Sequence, residues 1–170
     1  AAPQTHDFVF GRTMKRILVA SIFLLVTLVG ASSALASHYL LEDVPFISVE
    51  ERTKLESLKI LATEDLLKEV ATPAARRALV KKSGLSKARV LELSNQVDLL
   101  QVRGIGPKMV MLFQAAGYAN CKALNQAKLE PLYKAIAKTN DTKHISEVIP
   151  SRDLLASWIR RSGLVPVKLK

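Results

Sequence analysis

Cysteine is almost missing: Cys121 is the only one among 170 residues, so neither an internal disulfide nor a thiolate zinc cluster can form. Histidine occurs only as His6, His38 and His144, which are too far apart for metal-ligand spacing. Aromatic residues make up 5% of the chain, too few for a stacking platform along single-stranded nucleic acid. No glycine-rich phosphate loop is present, nor is the nucleophile elbow G-x-S-x-G. Period-two alternation of β-branched residues is missing too, which argues against a sheet. Carboxylate pairs such as Glu50–Glu51 and Glu64–Asp65 fall at expected helix starts, where they answer the helix dipole. Cys121 has no neighbouring histidine to activate it. These absences exclude the familiar catalytic constellations, and the expectation is a protein that is not an enzyme, with no metal and no cofactor.

One absence is local. From Ile17 to Leu41, 25 residues pass without Asp, Glu, Lys or Arg. A helix of that length is roughly 37 Å long at about 1.5 Å per residue, enough for a hydrocarbon core of about 30 Å. Arg12, Lys15 and Arg16 precede the run, and Glu42 and Asp43 follow it. Positive charge stays on the side of synthesis, so the remainder of the chain is expected across the membrane, in a periplasm, lumen or intermembrane space. The run also carries the features of a secretory signal. Met14-Lys15-Arg16 leads into Ile17 to Val29, and Ala34-Leu35-Ala36 before Ser37 is a small-x-small cleavage pattern. The reading adopted is a retained single-pass anchor over residues 17–41, preceded by an extension over 1–16. The alternative is a secreted or periplasmic chain cleaved after Ala36.

Beyond a connector over residues 42–47, helix punctuation runs through the chain. Ser48 with Glu51 forms a capping box ahead of Leu55, Leu58 and Leu61. Thr63 is expected to cap a short helix through Leu66, Leu67 and Val70. Thr72-Pro73 is an N-cap followed by proline at the first helical position, and Gly84 closes that helix. Ser86 caps a helix with Val90, Leu93 and Val97 on one face, and Leu129, Leu132 and Ile136 form another stripe. Ser151 opens a last helix bearing Leu154, Leu155, Trp158 and Ile159, which Gly163 ends. The fold class is therefore all-α: one N-terminal transmembrane helix and a compact multi-helix domain over 48–163, with a basic tail over 164–170.

The formal charge is +10, and all of it lies from Val44 onward, where 22 Lys and Arg face 12 Asp and Glu. Arg76, Arg77 and Lys81 share one expected helix at separations of one, four and five, and Arg160 and Arg161 form a second concentration. With Arg103 they make up a candidate basic docking face for an acidic protein surface, anionic lipid or nucleic acid. A solvated helix face is the plainer explanation. Gly104-Ile105-Gly106-Pro107-Lys108 has the chemistry of a tight turn between two helices. Gly104 permits a backbone conformation that a β-carbon forbids, Gly106 a close approach, and Ile105 pins the turn into the core. Pro107 suits the first position of the next helix, whose free N–H groups with Lys108 form a candidate phosphate- or partner-binding hairpin.

That turn resembles the hairpin of the helix-hairpin-helix motif, which in many DNA-binding proteins grips the phosphate backbone. A longer order is more specific. Thr72-Pro73-Ala74-Ala75-Arg76, Ser83 to Ser86, Asn95 to Leu100, Gly104 to Pro107, Ala115-Ala116-Gly117, Pro150-Ser151 and Trp158-Ile159 together resemble the family called domain of unknown function 4332. The resemblance covers roughly Ser48 to Gly163 and implies a domain of two helix-hairpin-helix-like halves. The first half, around Leu58 to Leu67, departs from it by having no Gly-x-Gly turn, so one of two possible phosphate-gripping hairpins is intact. Helix-hairpin-helix domains also bind protein: the small lumenal protein of oxygen-evolving photosystems resembles such a domain and binds protein rather than DNA, a parallel at the level of the fold. The expectation is a non-catalytic accessory or scaffold subunit, held in the bilayer through residues 17–41 and docked on partner subunits of a respiratory or photosynthetic membrane complex. The alternative is sequence-independent DNA binding through Gly104 to Lys108, in the manner of the membrane-anchored DNA receptors of bacterial competence.

Overall fold

The computed structural model describes residues 38–170. Residues 1–37 lie outside it, and with them the leading extension, the cleavage pattern at Ala36 and most of the expected anchor. The described residues form eight α-helices: α1 (Val49–Ser57), α2 (Thr63–Val70), α3 (Pro73–Ser83), α4 (Lys87–Leu100), α5 (Pro107–Ala115), α6 (Cys121–Asn125), α7 (Leu129–Lys143) and α8 (Arg152–Ser162). Among the described residues there is no strand beyond one isolated bridge, and no helix is long and apolar enough to cross a membrane.

Most helix ends form where local chemistry requires them. Ser48 Oγ accepts from Glu51 N–H while Glu51 returns a bond to the Ser48 N–H, closing the capping box of α1. Thr72, Ser86, Asn120 and Ser151 each accept from the backbone N–H three residues on. Each such cap stabilises its helix by about 1 kcal/mol. Gly84 ends α3 at φ +67°, a left-handed conformation that glycine adopts without penalty. Two expectations are corrected. Thr63 does not cap α2: Ala62 holds the cap position, and Asp65 Oδ2 accepts from the Leu61 and Ala62 N–H groups. Leu61 does not extend the stripe of α1, because Lys59 turns left-handed at φ +62° and sends the chain away, leaving Leu61 56% exposed and Ile60 buried.

The buried apolar residues gather into two clusters. The first joins Leu55, Leu66, Val70 and Leu79 to Val90, Leu93 and Val97 of α4. The second joins Leu99 and Leu100 to Ile105, Phe113, Leu124, Leu132, Leu155 and Trp158. Helix α4 thus serves both clusters and packs against α2, α3, α5 and α6. Each large apolar side chain withdrawn from water adds about 2 kcal/mol before the entropy of ordering is counted. Among the buried polar groups on α4, Asp98 is tied down: Oδ2 accepts from the Cys121 N–H at 2.7 Å and Oδ1 from Gln101 at 3.0 Å, whereas Ser94 Oγ and Gln96 Oε1 have no partner among the described residues.

Both ends of the domain differ from the sequence reading. The uncharged run does not continue as one helix to Leu41. Tyr39 exchanges bonds with Thr63, and Leu40 bridges Ala62. Leu41, only 1% exposed, enters a 3-10 turn inside the first cluster. Residues 42–47 are not a free connector, since Val44 and Ile47 are buried in the same cluster. Nor is 164–170 a loose basic tail. Val165 enters the second cluster, while Val167 and Leu169 pack on the first. Gln101 donates to the Val167 carbonyl at 2.8 Å and accepts from its N–H at 3.1 Å. In each case a short apolar stretch is drawn in by hydrogen bonds from its backbone to a distant segment.

Arg89 clasps α1 to α4. Its guanidinium donates to both Glu51 oxygens at 2.6 and 2.9 Å, to Glu92 at 2.7 Å and to the Phe46 carbonyl. The hydrogen bonds from Arg89 hold the Glu51 carboxyl below the usual carboxylate range. A lowered folded value means that this stabilisation is complete above the ordinary carboxylate range and is lost as pH falls through the lowered value. Arg89→Met is expected to cost about 2 kcal/mol at neutral pH, less than a fully buried pair would, and to flatten the acid-side loss of stability. Urea denaturation of both proteins across a pH series measures the two effects; equal acid sensitivity would refute the clasp.

Candidate functional site

The turn between α4 and α5 is built from within. The Gln101 and Val102 N–H groups return to the carbonyls of Asp98 and Leu99, and the Ile105 N–H donates to the Val102 carbonyl at 2.9 Å. Ile105, wholly buried, is the pin of the turn. Gly104 sits at φ +93°, and a β-carbon there would stand 3.0 Å from Nε1 of Trp158. Trp158, 3% exposed, lies edge-on to Phe113 at 5.9 Å, and its Nε1 has no acceptor among the described residues. Gly104 is therefore required twice, by the backbone angle and by the indole beneath it. Gly106 is different. Its φ is −92°, and a β-carbon would meet only the Tyr39 hydroxyl, at an ordinary 3.5 Å. The close approach expected of Gly106 is not demanded by the fold.

Gly106 also leaves the start of α5 without a side-chain cap. The first intrahelical bond runs from the Val110 N–H to the Gly106 carbonyl, and Pro107 has no N–H. The N–H groups of Lys108 and Met109 are the ones left at the helix end. Lys108 Nζ stands 3.3 Å from Glu147 Oε1, both side chains largely exposed, a pair of little stabilising value. Arg103 is exposed beside the turn, its carbonyl accepting from Arg161 Nη1 at 3.3 Å, and Arg160 is exposed on α8.

The six basic residues expected on one face divide between two places. Arg103, Arg160 and Arg161 belong to the turn and to α8. Arg76, Arg77 and Lys81 lie on α3, where they border a groove of about 450 Å3 together with Pro73, Val80, Lys87, Val90 and Leu91. Arg76 is half-buried and already engaged, donating to the Val70 carbonyl at 2.7 Å and to the Lys170 carbonyl. Arg77 and Lys81 are exposed and have no acidic partner among the described residues. Sequence reasoning missed Lys87 and Leu91. They stand one turn apart at the start of α4, but only the packing of α3 on α4 places them opposite Arg77 and Lys81.

The groups with nucleophilic or acid–base chemistry are taken up by the fold. Burial, together with the neighbouring Asp98 charge, pushes the Cys121 thiol well above the ordinary thiol range, and Sγ donates to the Asp98 carbonyl at 3.0 Å. Burial likewise raises the Asp98 carboxyl. Among the described residues, no group of three or more His, Cys, Asp or Glu could hold a metal ion.

Residues 45–163 match the family described as Domain of unknown function (DUF4332). No curated protein and no solved structure matches the chain.

The two glycines of the turn separate by substitution. Gly104→Ala is expected to lose about 2 kcal/mol or more, from the left-handed backbone and the contact with Trp158. Gly106→Ala is expected to lose less than about 1 kcal/mol, chiefly from a poorer helix cap. Thermal and urea unfolding rank the pair, and a larger loss at Gly106 would contradict this geometry.

Proposed function

The chain belongs to the DUF4332 family, and with its charge distribution as the second premise we propose that it is a non-catalytic accessory or scaffold subunit of a membrane complex. A single apolar segment within residues 17–41 holds it in the bilayer. The basic helical domain stands on the far side, in a periplasm, lumen or intermembrane space, and docks on partner subunits of a respiratory or photosynthetic assembly. The observation that carries this reading is the pattern of use among the charged side chains. Arg89 and Arg76 are consumed inside the domain, and so is Glu51. Arg77, Lys81, Arg103 and Arg160 have no carboxylate partner among the described residues. A surplus of unmatched cations on a rigid scaffold suits recognition of an acidic surface.

A second reading, sequence-independent DNA binding through a helix-hairpin-helix turn at Gly104 to Lys108, is favoured by the uncapped start of α5. It ranks second because the corresponding helix start in the first half is already neutralised. Asp65 accepts from the Leu61 and Ala62 N–H groups there, so a phosphate would meet a carboxylate. Paired hairpins are what give such domains useful affinity.

Gentle detergent extraction of the native membrane, size separation and mass spectrometry test the choice. The expected result is a large assembly containing this chain with Ile17 to Leu41 still attached. A chain that runs alone and begins at Ser37 would sink the accessory-subunit reading. Duplex binding that weakens steeply with salt and is lost on altering Gly106 and Lys108, which the fold does not require, would then establish the second.

A further inference from the structure

The groove between α3 and α4 sets cations beside exposed apolar surface. Helices α3 and α4 are joined by only Gly84, Leu85 and Ser86, and their packing leaves Val80 and Leu91 facing a common outer channel. Leu91 is 50% exposed on a helix whose other leucines and valines are buried. The rim is cationic on both walls, with Arg77 and Lys81 on one and Lys87 on the other, and no carboxylate lines the groove. Elsewhere on the same two helices the cations are matched: Lys82 lies 3.9 Å from Glu69, and Arg89 is clasped by Glu51 and Glu92. On these two helices, Arg77, Lys81 and Lys87 are thus left without a carboxylate partner beside exposed apolar surface.

We propose that this groove takes an acidic amphipathic helix of a partner protein, its carboxylates on Arg77, Lys81 and Lys87 and one apolar side chain seated on Val80 and Leu91. Charge complementarity and spacing select this occupant. Arg77 and Lys81 are four residues apart on α3, a rise of about 6 Å, and a helix laid along the groove presents carboxylates at the same interval. Its apolar stripe covers the floor between them, the helix-in-groove mode of recognition. An anionic lipid has one charged head and answers one wall. A DNA duplex keeps its apolar thymine methyls in the major groove, away from the phosphates that would meet the rim, so it does not cover Val80 and Leu91. The proposal rests on the docking reading above and specifies which surface docks and what it recognises.

The test uses the full chain in phosphatidylcholine nanodiscs, with empty nanodiscs as background. The probe is a fluorescent helical peptide of about 15 residues, carrying glutamates four apart around one leucine anchor. Anisotropy should show saturable binding, weakened at least about tenfold by the double substitution R77E/K81E and several-fold by Leu91→Gln, which leaves the charge unchanged. The double substitution K134E/K138E on α7 makes the same change in net charge and should alter binding by less than about twofold. All substituted positions are solvent-exposed, and circular dichroism melts check that each variant is folded. The proposal is overturned if the peptide does not bind, if its leucine-to-serine version binds equally well, if L91Q is silent, or if K134E/K138E weakens binding as much as R77E/K81E. It is also overturned if phosphatidylserine vesicles or duplex DNA compete for the groove more strongly than the peptide does. The broader reading is judged separately by native extraction. If R77E/K81E still travels with the assembly, docking occurs through another surface; if the unaltered chain travels alone, docking itself is wrong.

Discussion

The two-sided burial of α4 is the constraint around which the domain is arranged. Val90, Leu93 and Val97 belong to one apolar cluster, Leu99 and Leu100 to the other, and four helices pack against the same stretch. A helix covered on so many sides has little freedom for its polar residues. Asp98 shows how that is resolved. Its carboxylate, raised by burial, is shared between the Cys121 N–H at the start of α6 and the Gln101 amide. Gln101 in turn holds the Val167 backbone. A single buried carboxylate thus links the central helix, a helix start in the second cluster and the segment that crosses back to the first. Leaving a buried carboxylate unmatched would cost more than the bonds themselves contribute.

The positive charge of the domain has two uses. Arg89 and Arg76 act as staples, one joining α4 to the distant Glu51 and Phe46 carbonyl, the other joining α3 to the nearby Val70 carbonyl and to that of Lys170 at the far end of the chain. Guanidinium suits both tasks because its fork of donors serves several acceptors at once. Arg77 and Lys81, beside Arg76 on the same helix, face outward over an apolar floor instead. Neighbouring residues of one basic stripe therefore differ in role according to whether a carbonyl lies within reach, and counting charges along the chain does not separate them.

The turn at Gly104 to Lys108 shows a similar division within a shorter segment. Gly104 and Ile105 answer internal needs, one set by the backbone angle and the Trp158 indole, the other by the second cluster. Gly106 and Lys108 are under no such internal demand: one tolerates a β-carbon, and the other holds an exposed ion pair. The half of the motif with structural work to do is thus distinct from the half with surface chemistry. The first helix start, occupied by Asp65, has no surface chemistry of that kind.

Most helix boundaries were legible in the chain because their causes lie within a few residues. The Ser48–Glu51 box, the caps at Thr72, Ser86 and Ser151, the proline at 73 and the left-handed glycine at 84 are interactions between near neighbours, and any chain with those residues meets the same local energetics. The apolar stripe Val90, Leu93 and Val97 was legible for the same reason, as was the need for glycine at 104. Wherever backbone partners are distant, reading along the chain failed. Residues 39–47 read as the end of a membrane run and a connector, yet bonding to Leu61 and Thr63 and burial beside α2 make them part of the domain. Residues 164–170 read as a tail, yet Gln101 and Arg76 fasten them down. The groove itself exists only because α3 folds back on α4, setting Lys87 and Leu91 across from Arg77 and Lys81. Hydrophobicity and charge are properties of residues, whereas which surface they face is a property of the packing.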